Sequence, residues 1–230
     1  MSVNLSRSPV GPRLLASYTD FLAARPPGAD EDVHMLPEIV DLTIERWSRA
    51  GGVVLDPFAG FGTTIERAVA LGRRAIGVEL LPERVEGMRA RIPSARIIEG
   101  DARGLRQVLD EAVPEGGREL ADLVLTSPPY MTVTDHPADP LTAYEEDGGD
   151  YARYLRELGL VAAQCAWALR PGGVVVWNVA DILHRGRTTH LIDDCARLLA
   201  ECVGPVDRIP IEWDRLPHDL VADALLVARR

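Results

Sequence analysis

The chain has 230 residues, with 35 acidic and 25 basic side chains and a formal net charge of −10. That length holds one α/β unit with a sizeable core and little more. The acidity excludes a protein that grips duplex nucleic acid through a broadly basic face, because neutralising phosphates supplies most of that affinity.

Apolar residues make up 47% and charged residues 26%, an ordinary globular balance. No apolar run approaches the roughly 18 residues of a membrane span, and the first nine residues lack the core of a signal peptide. Cys165, Cys195 and Cys202 form no C-x-x-C pair. They are expected to be reduced, buried thiols away from any reaction centre, in a cytoplasmic protein without a metal site.

Residues 1–33 are weakly patterned and read as an N-terminal extension, with a short helix over 13–24 and a loop over 25–32. Pro37 opens a helix to about Ala50, with Ile39, Val40, Thr43, Ile44 and Trp47 on one face. Val53-Val54-Leu55 is a buried parallel strand. It runs into Asp56-Pro57-Phe58-Ala59-Gly60-Phe61-Gly62-Thr63-Thr64, where two glycines allow a tight turn and close approach to a ligand. Thr63 and Thr64 are expected to cap a helix over 65–71, which Gly72 ends.

Residues 75–79 form a second strand ending in Glu79, and Pro82 opens a helix to about Arg91. A third strand over 95–98 is closed by Glu99-Gly100-Asp101-Ala102, and 104–111 is helical. A fourth strand, 122–126, leads directly into Ser127-Pro128-Pro129-Tyr130. Asp150 caps a long helix over 151–169, and Gly172-Gly173 turns into a fifth strand over 174–179. A helix over 188–203 precedes two apolar runs, 206–213 and 220–228, that read as a hairpin. The whole predicts an α/β fold: a doubly wound, mostly parallel sheet with an antiparallel C-terminal strand pair at one edge, in a single domain over 34–230.

Ligands of such sheets bind beyond the carboxyl ends of the strands. Asp56, Glu79 and Asp101 fall there, with Ser127 to Tyr130, Asn178 and Asp181. Glu79 stands twenty-three residues after Asp56, close to the spacing at which a carboxylate holds ribose hydroxyls. The turn lacks the third glycine of a dinucleotide fingerprint, since Ile65 occupies that place, and it lacks the lysine of a phosphate loop. An acid followed by Pro-Phe suits a cofactor with a cationic centre. In Ser127-Pro128-Pro129-Tyr130 the prolines hold the backbone extended and donate no hydrogen bonds, the serine adds a hydroxyl, and the tyrosine offers a stacking face. Such a group can fix an exocyclic amine. Asp135, His136 and Asp181 are candidates to take its proton. The arginines at 84, 89, 91, 96, 103 and 106 are the one crowded basic stretch.

The two stretches together resemble the amino-methyltransferases that modify cytosine N4 or adenine N6 in DNA, within the Rossmann-like class I S-adenosylmethionine-dependent fold. His34-Met-Leu-Pro37 resembles that family's His…Lys-Pro element without its lysine, and Leu-Arg-Pro-Gly-Gly173 is similar to its turn before strand five. The resemblance covers about residues 34–179. It implies S-adenosyl-L-methionine as cofactor, held by His34, Asp56, Pro57, Phe58, Ala59, Gly60, Gly62, Thr63, Thr64, Glu79, Asp101 and Ala102. It implies catalysis by Ser127, Pro128, Pro129 and Tyr130, on DNA. The first-position serine is more like the cytosine N4 enzymes. DNA-modifying relatives usually carry a separate recognition region, and the largest interval here, 131–149, is acidic. Recognition by a homodimer or a partner subunit is therefore an open expectation. So are RNA or a small-molecule amine as acceptor, and a non-catalytic cofactor-binding subunit.

Overall fold

A computed structural model describes residues 6–8, 11–29, 34–133, 139–142 and 150–230. Its centre is a run of parallel strands: β3 (Val53–Asp56), β4 (Arg74–Glu79), β5 (Arg96–Glu99), β6 (Ala121–Thr126) and β7 (Leu169–His184). β4 and β6 flank β3, β5 pairs with β4, and β7 pairs with β6, all in parallel. β3 is buried along its whole length, as a strand covered on both faces must be.

The helices that cover it are α2 (Pro37–Trp47), α3 (Thr63–Ala70), α4 (Pro82–Arg91), α5 (Leu105–Ala112), α6 (Tyr151–Ala168) and α7 (Leu191–Cys202). Alternate strand residues feed two cores. Val53, Leu55, Val124, Val175 and Trp177 pack with α5, α6 and α7, and Val54, Leu123, Leu125, Val174 and Val176 pack with α2, α3 and α4. Asp150 caps α6 as expected, accepting from the Ala152 amide at 2.9 Å.

The C-terminal pair is β9 (Val206–Trp213) and β10 (Leu220–Arg229), antiparallel to each other. The pair does not form the sheet's edge. β10 inserts antiparallel beside β7, and β9 is followed by β2 (Gly11–Ala16), then β1 (Ser6–Ser8). Of the helix expected over 13–24, residues 13–16 thus belong to a strand, and only α1 (Tyr18–Ala23) is helical. Leu14 and Ala16 are buried while Leu15 is 44% exposed, an alternation of two that a strand beside β9 satisfies and a helix would not.

Three smaller expectations also shift. β7 continues beyond Val179 to His184 and folds back on β8 (Arg187–Thr189), so α7 starts at Leu191 and not near 188. α2 ends at Trp47, short of Ala50. The α3 N-cap is Gly62 with φ +90°, so Thr63 and Thr64 are its first helical residues and not its caps.

Gly62 is constrained twice. Its positive φ is one that L side chains rarely adopt, and a Cβ there would meet the Met88 side chain at 2.9 Å. Gly62→Ala is expected to lower stability by about 1–2 kcal/mol, read as a loss of several degrees in the thermal midpoint.

Candidate active site

At the carboxyl ends of β3 and β4 two acids are buried, Asp56 at 2% and Glu79 at 7% exposure. Each is held by the turn that follows it. Asp56 Oδ1 accepts from the Phe58 amide at 3.0 Å and from Thr126 Oγ1 at 2.5 Å. Glu79 accepts from the Gly60 amide at 2.8 Å through Oε2 and from the Leu81 amide at 2.9 Å through Oε1. Each Glu79 oxygen therefore keeps a second lone pair for another donor. Burial pushes the Asp56 carboxyl up to about 6, against hydrogen bonds that favour its charge, and nearby Glu79 adds to the rise. The Thr64 hydroxyl is buried against the same carboxyl, outside ordinary hydrogen-bond geometry.

Asp101 follows β5 and caps the short 3-10 turn Ala102–Gly104, accepting from the Arg103 amide at 2.7 Å. Its oxygens also receive the Arg103 guanidinium, at 2.7 Å to Oδ2, and that guanidinium reaches on to Glu157 of α6 at 3.1 Å. The acid is thus already engaged by its own chain, which a lone carboxylate after a strand does not reveal.

Thr126 is the last residue of β6, so its bond to Asp56 draws the start of Ser127-Pro128-Pro129-Tyr130 onto the glycine turn. Two further contacts hold that segment. Tyr154 Oη, fully buried in α6, donates to the Pro129 carbonyl at 2.9 Å, and Tyr130 Oη donates to the Asn178 carbonyl of β7 at 3.2 Å. Tyr130 has one proton and gives it to Asn178, so the Ser127 hydroxyl, 3.2 Å from Tyr130 Oη, is the donor of that pair. Ser127 Oγ then keeps its acceptor lone pairs. Dehydration of its phenol holds Tyr130 far above the ordinary range, so it stays neutral and takes no proton from a substrate.

Behind Asn178 lies a buried acid the sequence reading passed over. Asp223 of β10 accepts from Asn178 Nδ2 at 2.6 Å and from Trp213 Nε1 at 2.8 Å. A lone acid inside the apolar run 220–228 was the available signal. No comparable signal marked Thr126 or Tyr154, whose partners lie 70 and 25 residues away.

Other expectations resolve differently. His34 stacks on Phe21 at 4.3 Å between ring centroids and donates from Nε2 to the Phe21 carbonyl at 3.0 Å, packing against α1. Asp181 accepts from the Ile192 amide at 2.9 Å, the role of a helix cap for α7. Asp135 and His136 lie outside the described residues. Cys165 and Cys195 are buried, as expected, and Cys202 is partly exposed. Burial pushes the Cys165 and Cys195 thiols up, so they remain protonated.

Asp223 is also raised by burial to about 6. For Asp56 and Asp223 the folded value exceeds the unfolded one, so each adds stability at low pH that is lost as pH rises through 6. Asp223→Asn is expected to flatten the stability profile between pH 4 and 6 by up to about 1 kcal/mol per pH unit. Urea titrations of both proteins across that window measure the difference.

Residues 36–90 match the model of the DNA methylase family. Over 87 residues the chain is 37% identical to the tRNA (guanine(10)-N2)-dimethyltransferase of Methanothermobacter thermautotrophicus, covering 36% of this chain and 23% of that protein. It is 32% identical over 47 residues to the type II methyltransferase M.MjaII of Methanocaldococcus jannaschii, 20% of this chain and 9% of the relative. The matched segments thus span less than a quarter of either relative's length. Among solved structures, a SAM-dependent methyltransferase of Methanosarcina mazei superposes with a TM-score of 0.58 at 12% identity, over 81% of this chain and 96% of that one. The 16S rRNA N2 methyltransferase of T. thermophilus, solved with AdoMet and guanosine, gives 0.55 at 21% identity, over 89% of this chain and 45% of that one. Residues 36–90 are thus similar to the DNA methylase family, within a fold shared with class I methyltransferases.

Proposed function

We propose that this chain is an S-adenosylmethionine-dependent N-methyltransferase acting on an exocyclic amine of a nucleobase, of the DNA cytosine-N4 or adenine-N6 type. The observation that carries the reading is the 2.5 Å bond from Thr126 to Asp56, because it joins the glycine turn to the Ser-Pro-Pro-Tyr segment at adjacent strand ends.

The residues present fit the cofactor. A buried Thr64 hydroxyl outside ordinary hydrogen-bond geometry stands in the first turn of α3, whose leading amides favour a carboxylate. Glu79 has acceptor capacity left for ribose hydroxyls, and Asp56, Phe58, Gly60 and Gly62 shape the turn around the methionine end. Asp101 and Ala102 would face the adenine, with Arg103 yielding part of its hold on the acid. When bound, the cofactor supplies an electrophilic methyl group on a sulfonium.

The chain's own part is orientation. Ser127 Oγ accepts a hydrogen bond from the amine without taking its proton, and the Tyr130 ring lies against the base. The prolines keep the segment from collapsing while Tyr154 and Asn178 hold its far end. Alignment and exclusion of water supply most of the rate, with no covalent enzyme intermediate. RNA is the second reading, favoured by the 37% identity over 87 residues to a tRNA guanine-N2 enzyme. Either acceptor presents the same kind of amine.

Incubation with methyl-labelled cofactor and genomic DNA, total RNA or small-molecule extract in parallel separates the acceptors, and label in DNA is the expected result. Ser127→Ala and Tyr130→Ala should each cut transfer by roughly 10- to 100-fold, the loss expected of a misplaced reactant. Full activity in both variants overturns the site. Tyr154→Phe removes one buried hydrogen bond, worth about 1 kcal/mol, and should lower kcat/KM about fivefold while cofactor binding measured by calorimetry holds.

A further inference from the structure

The crowded arginines at 84–106 do not form a free basic patch. Arg84 covers the Phe61 ring at 4.4 Å, Arg89 donates to the Ile97 carbonyl at 3.0 Å, and Arg91 donates to the Phe61 carbonyl. Arg96 donates to the Ala112 carbonyl, and Arg103 is spent on Asp101 and Glu157. Arg106 lies over Trp167 at 5.3 Å. Positive charge gathers elsewhere, at the other pole of the sheet.

There a cleft of about 450 Å³ is lined by Arg46, Trp47, Arg49, Asp122, Arg170 and Arg229, and walled by the turn Pro171-Gly172-Gly173. Sequence separates these residues widely. α2 delivers Arg46, Trp47 and then Arg49 just beyond its end, β6 delivers Asp122, β7 delivers Arg170, and β10 delivers Arg229. The single acid is already committed: Asp122 Oδ2 accepts from the Val53 amide at 2.7 Å, and both oxygens accept from Arg170 at 3.1 Å. Arg46 lies over the Trp47 ring at 5.3 Å. Among the described residues no carboxylate pairs with Arg46, Arg49 or Arg229. Three guanidinium-bearing residues thus line one cleft with no paired side-chain carboxylate among the described residues, in a chain of net charge −10.

We propose that this cleft binds phosphodiester groups of nucleic acid. The inference rests on the reading of a nucleobase acceptor and names a second place where the acceptor strand is held. Guanidinium matches phosphate through paired N–H donors. β6 is six residues long, and at roughly 3.3 Å per residue the cleft lies about 15–20 Å from the Ser-Pro-Pro-Tyr end. A strand of several nucleotides covers that distance. The arrangement explains how an acidic protein engages a polyanion: local charge at one cleft, with repulsion elsewhere limiting binding away from it.

The test is fluorescence anisotropy of labelled single-stranded DNA, duplex DNA and an RNA hairpin, titrated with full-length protein between 50 and 200 mM salt. The double variant Arg49→Glu/Arg229→Glu is compared with Arg74→Glu/Arg208→Glu. The second pair makes the same charge change at exposed arginines that pair with Glu115 and Asp193. At least tenfold weaker binding in the first variant only, with a salt slope smaller by one to two, is expected. The arm showing the largest loss identifies the acceptor polymer. Equal losses in both variants, or unchanged binding in the first, overturn the cleft, as does a wild-type protein that binds none of the three. Methyl transfer measured on the same preparations keeps the two readings apart: activity with an intact Arg49/Arg229 phenotype removes the cleft alone, whereas absent transfer with retained nucleic-acid binding removes the catalytic reading alone.

Discussion

The structure turns on buried carboxylates at the ends of parallel strands. An ionised acid taken out of water is costly unless donors reach it. Here the donors are backbone amides of the turns themselves: Phe58 on Asp56, and Gly60 and Leu81 on Glu79. The turn geometry and the acids therefore depend on each other. Gly60 at φ +54° and Gly62 at φ +90° let the chain double back tightly enough to point those amides inward. Gly60 also supplies one of the amides that hold Glu79, so its backbone serves the turn and the acid together.

The same economy links the glycine turn to Ser-Pro-Pro-Tyr. One hydrogen bond, Thr126 to Asp56, connects β6 to β3 at the end where both strands give way to loops. Beyond it, prolines remove the donors that would tie the segment to its neighbours, so its position depends on two groups from afar, the Tyr154 hydroxyl and the Asn178 backbone carbonyl. Tyr154 reaches in from α6, and Asn178 from β7, itself braced by Asp223 and Trp213. This bracing extends to the N-terminal helix α1, since Trp213 meets Phe21 edge-on at 5.6 Å and Phe21 stacks on His34. The N-terminal stretch is thus packed into the frame behind the site, and His34 serves that frame. No helix among the described residues is long and apolar enough to cross a membrane.

Charge is distributed with the same logic. Arginines that crowd the sequence between 84 and 106 are consumed in covering loops and capping carbonyls, while arginines scattered from 46 to 229 converge on one cleft. Density along the chain and density in space are different quantities, because parallel strands bring distant segments side by side every 4.8 Å or so.

Local pattern carried the order of strands and helices, the glycine turn and the proline segment, because each is written in residues within a few positions of one another. β-branched runs, Pro at helix starts and Gly at turns act on their own backbone. The same locality explains the failures. Residues 11–16 have no strong helical or strand signature of their own, and it is the exposed side of β9 that makes them a strand. Thr63 and Thr64 have capping chemistry, but the αL turn at Gly62 takes the cap position. The sequence by itself determined that three acids, a glycine turn and Ser-Pro-Pro-Tyr stand at strand ends. Only the tertiary structure decided what holds them, by pairing Thr126 with Asp56, the Gly60 amide with Glu79 and Asp223 with Asn178. The physical reason is that a buried polar group must be satisfied by whichever donor the packing brings within 3 Å or so, and that donor is chosen by strand order and helix placement rather than by position along the chain.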